Sequence, residues 1–199
     1  MNAQLHECPR IDQHVDVRSV YIALEDIPLD VHLSIFNEWN ARRGDRLAPA
    51  WGEYSILDFP SREIPCASLT DLSNTPLSSV YTFWGAGLTD VFGGDFTGKT
   101  PAEVPPASLG ISTNGGCARL VNDRAPNYEV KEFLRGNGVF GRAMVLRLPF
   151  SDDGISINHG VNLYKFERRD SKKPLKSFFD DVFSKLTPSA SAIPNLSAR

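Results

Sequence analysis

A chain of 199 residues, 41% hydrophobic and 23% charged with a net charge of -3, has the size for one buried core with terminal additions and is short for two full domains. No apolar run approaches the roughly 20 residues that span a bilayer, and the slight acidity gives no overall pull towards nucleic acid or anionic membranes. The start, MNAQLHECPRIDQH, lacks the basic-then-apolar order of a secretory leader, so a cytoplasmic location is the expectation.

Cys8, Cys66 and Cys117 lie far apart and form no C-x-x-C pair, which speaks against a zinc site or a disulfide framework and for reduced thiols. His6, His14 and His32 show no metal-ligand spacing with one another, so no metal is expected. In chain order, residues 1–15 carry little periodic signal, and residues 16–27 fit a short strand or a helical turn equally. Asp30 then stands where it can cap a helix running to Arg43, with Val31, Ile35, Phe36 and Trp39 on one face, arginines in the last turn and Gly44 as the stop. Gly44 to Pro65, rich in prolines and turn formers, predicts a short helix between loops, with Tyr54, Ile56, Leu57 and Phe59 as anchors.

Cys66–Leu72 and Ser78–Trp84 read as two strands of a hairpin, the second richer in β-branched and aromatic residues. Leu88, Val91 and Phe92 have the spacing of a helical turn, which Gly93 and Gly94 end. Pro101, Pro105 and Pro106 mark a loop, after which a helix of about three turns is expected from Thr113 or Asn114 to Asp123, weakened by Gly115 and Gly116. Tyr128–Arg135, Gly138–Phe150 and Ile155–Phe166 form three long strand candidates, joined by the turn signals Asn137-Gly138 and Asp153-Gly154 into an antiparallel meander. A basic run, Arg168 to Lys176, precedes a helix opened by Pro174 whose Leu175, Phe178, Phe179, Val182, Phe183 and Leu186 share one face. Residues 188–199 are small and polar enough for a disordered tail.

Two chemistries compete for the stretch VYTFWGAGLTDVFGGDFTGKT. Gly93–Thr100 satisfies the phosphate-loop pattern G-x-x-x-x-G-K-[ST], the mark of a nucleotide-binding enzyme. That chemistry needs a buried strand before the first glycine and a helix beginning at the Lys-Thr pair, so that backbone amides and a helix N-terminus face the phosphates. Here the upstream residues look helical, and Thr100 is followed by Pro101, which biases it away from helical geometry. No nucleophile elbow and no Cys–His pair with local support appears, so no catalytic residues are named. His159 falls among inward-facing aliphatics of the last strand, as a core histidine or as a ligand to haem or a small molecule. Tyr81, Phe83 and Trp84 are core residues that can also line a cavity between sheet and helices.

The element order of strand, strand, short helix, loop, helix and three antiparallel strands resembles a PAS fold. Tyr81, Phe83, Gly85, Leu88, Phe92, Gly93, Asp95, Thr97, Gly98 and Lys99 are similar to a segment found in a family of bacterial stand-alone PAS-like sensory domains. The Trp39 helix followed by Arg43, Gly44, Asp45 and Pro49, and the turn from Leu148 through Gly154, are shared features too. The resemblance implies an α+β, PAS-like domain over residues 30–168: an antiparallel sheet of about five strands, short helices on one face, and amphipathic flanking helices at both ends. Residues 1–29 form an extension, 169–187 a basic linker and helix, and 188–199 a tail. It further implies a non-enzymatic signalling module that binds a small molecule or a protein partner, with Tyr81, Phe83, Trp84, Leu88, Phe92, Met144 and His159 as the candidate pocket. The cofactor is left unknown, a flavin-binding Asn-Cys-Arg-Phe-Leu-Gln motif is missing, and homodimerisation through the terminal helices is open.

Overall fold

Among the residues that the structure, a computed structural model, describes (15–74, 78–136, 138–169, 176, 178 and 179), the chain forms six strands and three α-helices. In order these are β1 (Asp16–Ile22), α1 (Asp30–Arg43), β2 (Ala67–Asp71), β3 (Val80–Trp84), α2 (Ala86–Phe92), α3 (Ala107–Asn122), β4 (Asn127–Arg135), β5 (Gly138–Phe150) and β6 (His159–Arg168). One sheet takes all six strands in the spatial order β1-β4-β5-β6-β2-β3, every neighbouring pair antiparallel. The sheet thus has one strand more than expected. The sixth is β1, which the sequence left open between strand and turn, and which pairs in register with β4, Val17 opposite Phe133 and Tyr21 opposite Glu129.

Alternation along β5 divides the core. Met144, Leu146 and Leu148 join a cluster with Ile35 and Trp39 of α1 and with Val161 and Leu163 of β6. Ala143 and Val145 belong to a second cluster with Leu88, Val91 and Phe92 of α2, Leu109 of α3, and Tyr164 and Phe166 of β6. The sheet is therefore covered on both faces, by α1 on one side and by α2 with α3 on the other. Trp39 is anchored by its indole N–H, which donates to the Pro149 carbonyl at 3.0 Å, so a large side chain meets its polar need inside the core.

Helix α1 begins and ends where its sequence pattern places it, but Asp30 makes no cap. Leu29 is the residue before the first turn and has no side-chain oxygen to accept from the free amides, leaving Asp30 to act inside the first turn on the helix dipole. Gly44, at φ +56, closes the helix with its N–H on the Asn40 carbonyl. Between Gly44 and Pro65 the expected short helix is replaced by single 3-10 turns at Trp51–Glu53 and Ile56–Asp58, the second held by a reciprocal Ser55–Asp58 capping box; a third, Ile64–Cys66, leads into β2.

Helix α3 starts two turns earlier than expected, straight after Pro106. Two of its three glycines are contact points: a Cβ on Gly110 would lie 2.7 Å from the Pro101 carbonyl oxygen, and one on Gly116 would press into the guanidinium of Arg147. Tertiary approach outweighs the helix propensity that these residues lose. Strand β6 starts later than expected, at His159, because Oδ1 of Asp153 accepts from the amides of Ile155 and Ser156 and holds those residues in a turn. Of the expected C-terminal helix only Lys176, Phe178 and Phe179 lie within the described residues. Both phenylalanines are buried on the second cluster, Phe178 5.4 Å from the Phe133 ring and Phe179 5.3 Å from that of Phe92. Among the described residues no helix is long and apolar enough to cross a membrane.

Candidate functional site

The α3-covered face carries three fully buried charges in the middle of the sheet. Glu129 and Lys131 share one face of β4 by their i, i+2 spacing, and Arg147 continues the Ala143–Val145 face of β5. All three side chains have no solvent-accessible surface. Nη1 of Arg147 lies 2.6 Å from Oε2 of Glu129 and donates to Oδ1 of Asn127 at 3.2 Å. Nζ of Lys131 lies 3.4 Å from the same carboxylate and donates to Ser112 Oγ at 2.6 Å and to Thr113 Oγ1 at 3.3 Å. Ser112 in turn donates to Oε1 of Glu129 at 2.8 Å, so the 2.7 Å contact between Ser19 and Ser112 has Ser19 as its donor. The cluster thus stitches β1, β4, β5 and α3 together.

Burial and pairing oppose one another at each charge. Burial would raise the Glu129 carboxyl, but Arg147 and then Lys131 hold it down at about 2. Burial pulls the Lys131 ammonium down to about 7 against the attraction of Glu129. Arg147 would also be lowered by burial, yet Glu129 keeps it above its ordinary value. With Lys131 protonated the cluster holds two cations to one anion.

Beside Arg147 the buried polar face extends along the sheet. Asn162 of β6 is its direct cross-strand partner. The Asn162 amide nitrogen donates to Ser68 Oγ and Thr70 Oγ1, both at 3.1 Å, and its Oδ1 has no partner among the described residues. Tyr164, lifted to about 12 chiefly by burial, hydrogen-bonds Ser68 and Tyr81. Nε and Nη2 of Arg147 are likewise buried without a hydrogen-bond partner among the described residues.

The seven residues nominated from sequence separate. Tyr81, Trp84, Leu88 and Phe92 come together in the second cluster, with the Trp84 ring 4.9 Å from Tyr81 and 5.6 Å from Phe92. Met144 points to the α1-covered cluster instead, as its parity in β5 dictates, and so does Phe83, because β3 shifts register against β2 between Tyr81 and Phe83 and the alternation breaks there. His159 stands at the rim, where β6 begins; its Nε2 lies 2.8 Å from Oδ2 of Asp152 and its ring 6.3 Å from Trp51. None of the seven lines the open groove of about 460 Å³ between Gly138 and Arg169. Glu129, Lys131, Arg147 and Asn162 were not singled out from sequence. Charged residues at every second position of β4 are compatible with a solvated face as well as a buried one; the more readable signal is Arg147, a lone charge in the apolar run Ala143–Phe150.

The phosphate-loop pattern lies elsewhere. Gly93, at φ +76, is the C-terminal stop of α2, and Gly98 and Lys99 run along the outer edge of β3, the Tyr81 amide donating to the Lys99 carbonyl at 2.9 Å and the Gly98 amide to the Tyr81 carbonyl at 2.8 Å. Asp95 accepts from the Thr97 amide in a tight turn, Lys99 pairs with Glu103 at 3.1 Å, and a 3-10 turn follows at Pro101. A helix precedes this loop and an antiparallel strand flanks it, which is not the strand–loop–helix geometry that cradles a phosphate. Among the described residues no group of three or more His, Cys, Asp or Glu side chains is gathered that could hold a metal ion. Comparison of the chain with protein-family models, with curated proteins and with solved structures finds no match.

Proposed function

We propose that this chain is a PAS-like, non-enzymatic sensory or regulatory domain that takes a small molecule on the α3-covered face of its sheet. The observation that carries the reading is the Glu129–Lys131–Arg147 cluster. Burying three charges costs more than apolar packing of the same volume commonly would, so their presence in the core calls for a role beyond holding the fold together. The element order strand, strand, helix, helix and three antiparallel strands from β2 to β6 supports the same reading, being the order on which the family resemblance rests. Tyr81, Trp84, Leu88 and Phe92 then supply the apolar end of the site and the charged cluster its polar end.

In this reading a bound molecule changes how α2 and α3 sit on the sheet, and the aromatic contacts from Phe92 to Phe179 pass that change to the C-terminal segment. Mass spectrometry of the purified chain under native conditions, followed by titration calorimetry with whatever is released, tests it. A co-purifying molecule whose binding is lost on Trp84→Ala or Arg147→Lys supports the proposal. A chain that carries nothing and takes up nothing from a metabolite library sinks it. A protein partner in place of a small molecule is the remaining version of the same reading, with capture on the α1 face as its mark.

A further inference from the structure

Arg147 has one edge in use and one to spare. Its guanidinium is a planar fork of five N–H groups; Nη1 serves Glu129 and Asn127, while Nε and Nη2 carry their protons into the core with no acceptor among the described residues. That edge offers two parallel donors, the arrangement which a carboxylate bridges with both oxygens. Directly across the strand pair, Asn162 spends its amide nitrogen on Ser68 and Thr70 and leaves Oδ1 as an acceptor without a donor. A buried donor edge and a buried acceptor, each unanswered and side by side, describe the complement of a molecule that is anionic at one end and donates a hydrogen bond close by.

Charge narrows the donor. Arg147 and Lys131 outnumber Glu129, so an ammonium group here would meet two cations, whereas a hydroxyl meets Asn162 without that cost. A phosphate monoester dianion, which carries no O–H, would satisfy the guanidinium but set an oxygen against Oδ1 of Asn162. Resting on the reading of this face as a ligand site, we infer that the ligand is a small hydroxycarboxylate, its carboxylate on the Nε/Nη2 edge of Arg147 and its hydroxyl on Asn162. The molecule lies under α3 beside Gly116, whose missing side chain already lets the helix backbone approach the guanidinium.

Titrating the ¹⁵N-labelled full chain with glycolate, acetate, glycine and the dianion of methyl phosphate at matched pH and ionic strength tests the assignment. Glycolate moves the Arg147 Nε–H and Gly116 amide resonances and raises Tm by about 2–4 °C at roughly five times its Kd. Acetate, which lacks the hydroxyl, binds about tenfold more weakly, the equivalent of one hydrogen bond. Glycine and methyl phosphate leave both resonances where they are, and Arg147→Lys, which keeps the charge but not the fork, removes the glycolate response. Should that variant fail to fold, the wild-type Nε–H titration decides alone. The inference is overturned if glycolate leaves the Nε–H resonance unmoved, or if methyl phosphate moves it equally. A neutral co-purifying molecule that shifts it would overturn the carboxylate and leave the ligand-binding reading standing.

Discussion

The two faces of the one sheet are held by different physics. Under α1 the contact is apolar: Ile35 and Trp39 lie on Met144, Leu146 and Leu148, and the one buried ionisable group of the helix, His32, is driven neutral. Under α3 the contact is built around three charges and a chain of hydroxyls, with glycines where the helix comes closest. An apolar interface tolerates small shifts, since dispersion and water exclusion have no direction. A buried ionic network admits only arrangements in which every charge stays answered, which makes it suited to two discrete states rather than a continuum.

The contrast can be broken most forcefully by removing the central residue from each face. Trp39→Ala is expected to cost about 3–5 kcal/mol through the cavity it leaves, and Arg147→Ala a similar 3–5 kcal/mol, about, because Glu129 remains buried with Lys131 alone. Urea denaturation separates the two: the loss at Arg147 is largely restored by adding Glu129→Gln, whereas no second substitution among the charges rescues Trp39→Ala. A double variant no better than Arg147→Ala would mean that the charges do not work as a unit.

A second contrast is in pH. Burial, reinforced by the Lys165 charge, lowers His32 to about 4, so the unfolded chain binds a proton that the folded one refuses between about 6.5 and 4, and stability falls as pH falls through that window, by about 3 kcal/mol at 1.36 kcal/mol per unit. Glu63, 4.0 Å from His32, and the ring of Tyr128 are the other groups facing it. On the other face Lys131, lowered to about 7 by burial, makes stability rise as pH rises from about 7 towards 10. Between about pH 5 and 10, above the range in which Glu129 titrates, His32→Phe should flatten the acid limb only and Lys131→Met the alkaline limb only, as followed by urea midpoints. If either variant flattens both limbs, the two faces are not independent.

The glycines of α3 give a smaller test. Gly115→Ala, with open space around its Cβ, should stabilise by up to about 1 kcal/mol through helix propensity. Gly116→Ala, pressed against a guanidinium that Glu129 holds in place, should destabilise by about 1–3 kcal/mol. Equal effects at the two positions would show that Arg147 gives way easily. Least of all is expected from Lys99→Ala, whose exposed pair with Glu103 can be lost without a measurable shift in the urea midpoint.

What could be read from the sequence, and what could not, follows the same division. Helix α1 was readable end to end because one apolar face, terminal arginines and Gly44 agree, and β4 and β5 were readable because the turn signal Asn137-Gly138 separates two long runs of strand-compatible residues. The start of α3 was hidden, since Gly110 and Gly116 lower its propensity for reasons that exist only in the folded contacts with Pro101 and Arg147, and Gly115 lowers it with no contact to explain it. The charged cluster was hidden because Glu129 and Lys131 alternate with apolar neighbours, and alternation alone does not tell which side of a strand meets water when both are covered. The nominated aromatics split for another reason: Phe83 and Trp84 are adjacent in a strand and so face opposite ways, and a register shift against β2 between Tyr81 and Phe83, which no residue pattern announces, turns Tyr81 to the side of Trp84.

Strand β3 ends the sheet, and an uncovered terminal strand is a template on which a second molecule can add its own backbone. Residues 98–99 occupy that position, taking up both the amide and the carbonyl of Tyr81. The segment that looks made to hold a nucleotide is thereby an edge guard: it answers two backbone groups of β3 that would otherwise be open to a strand from another molecule.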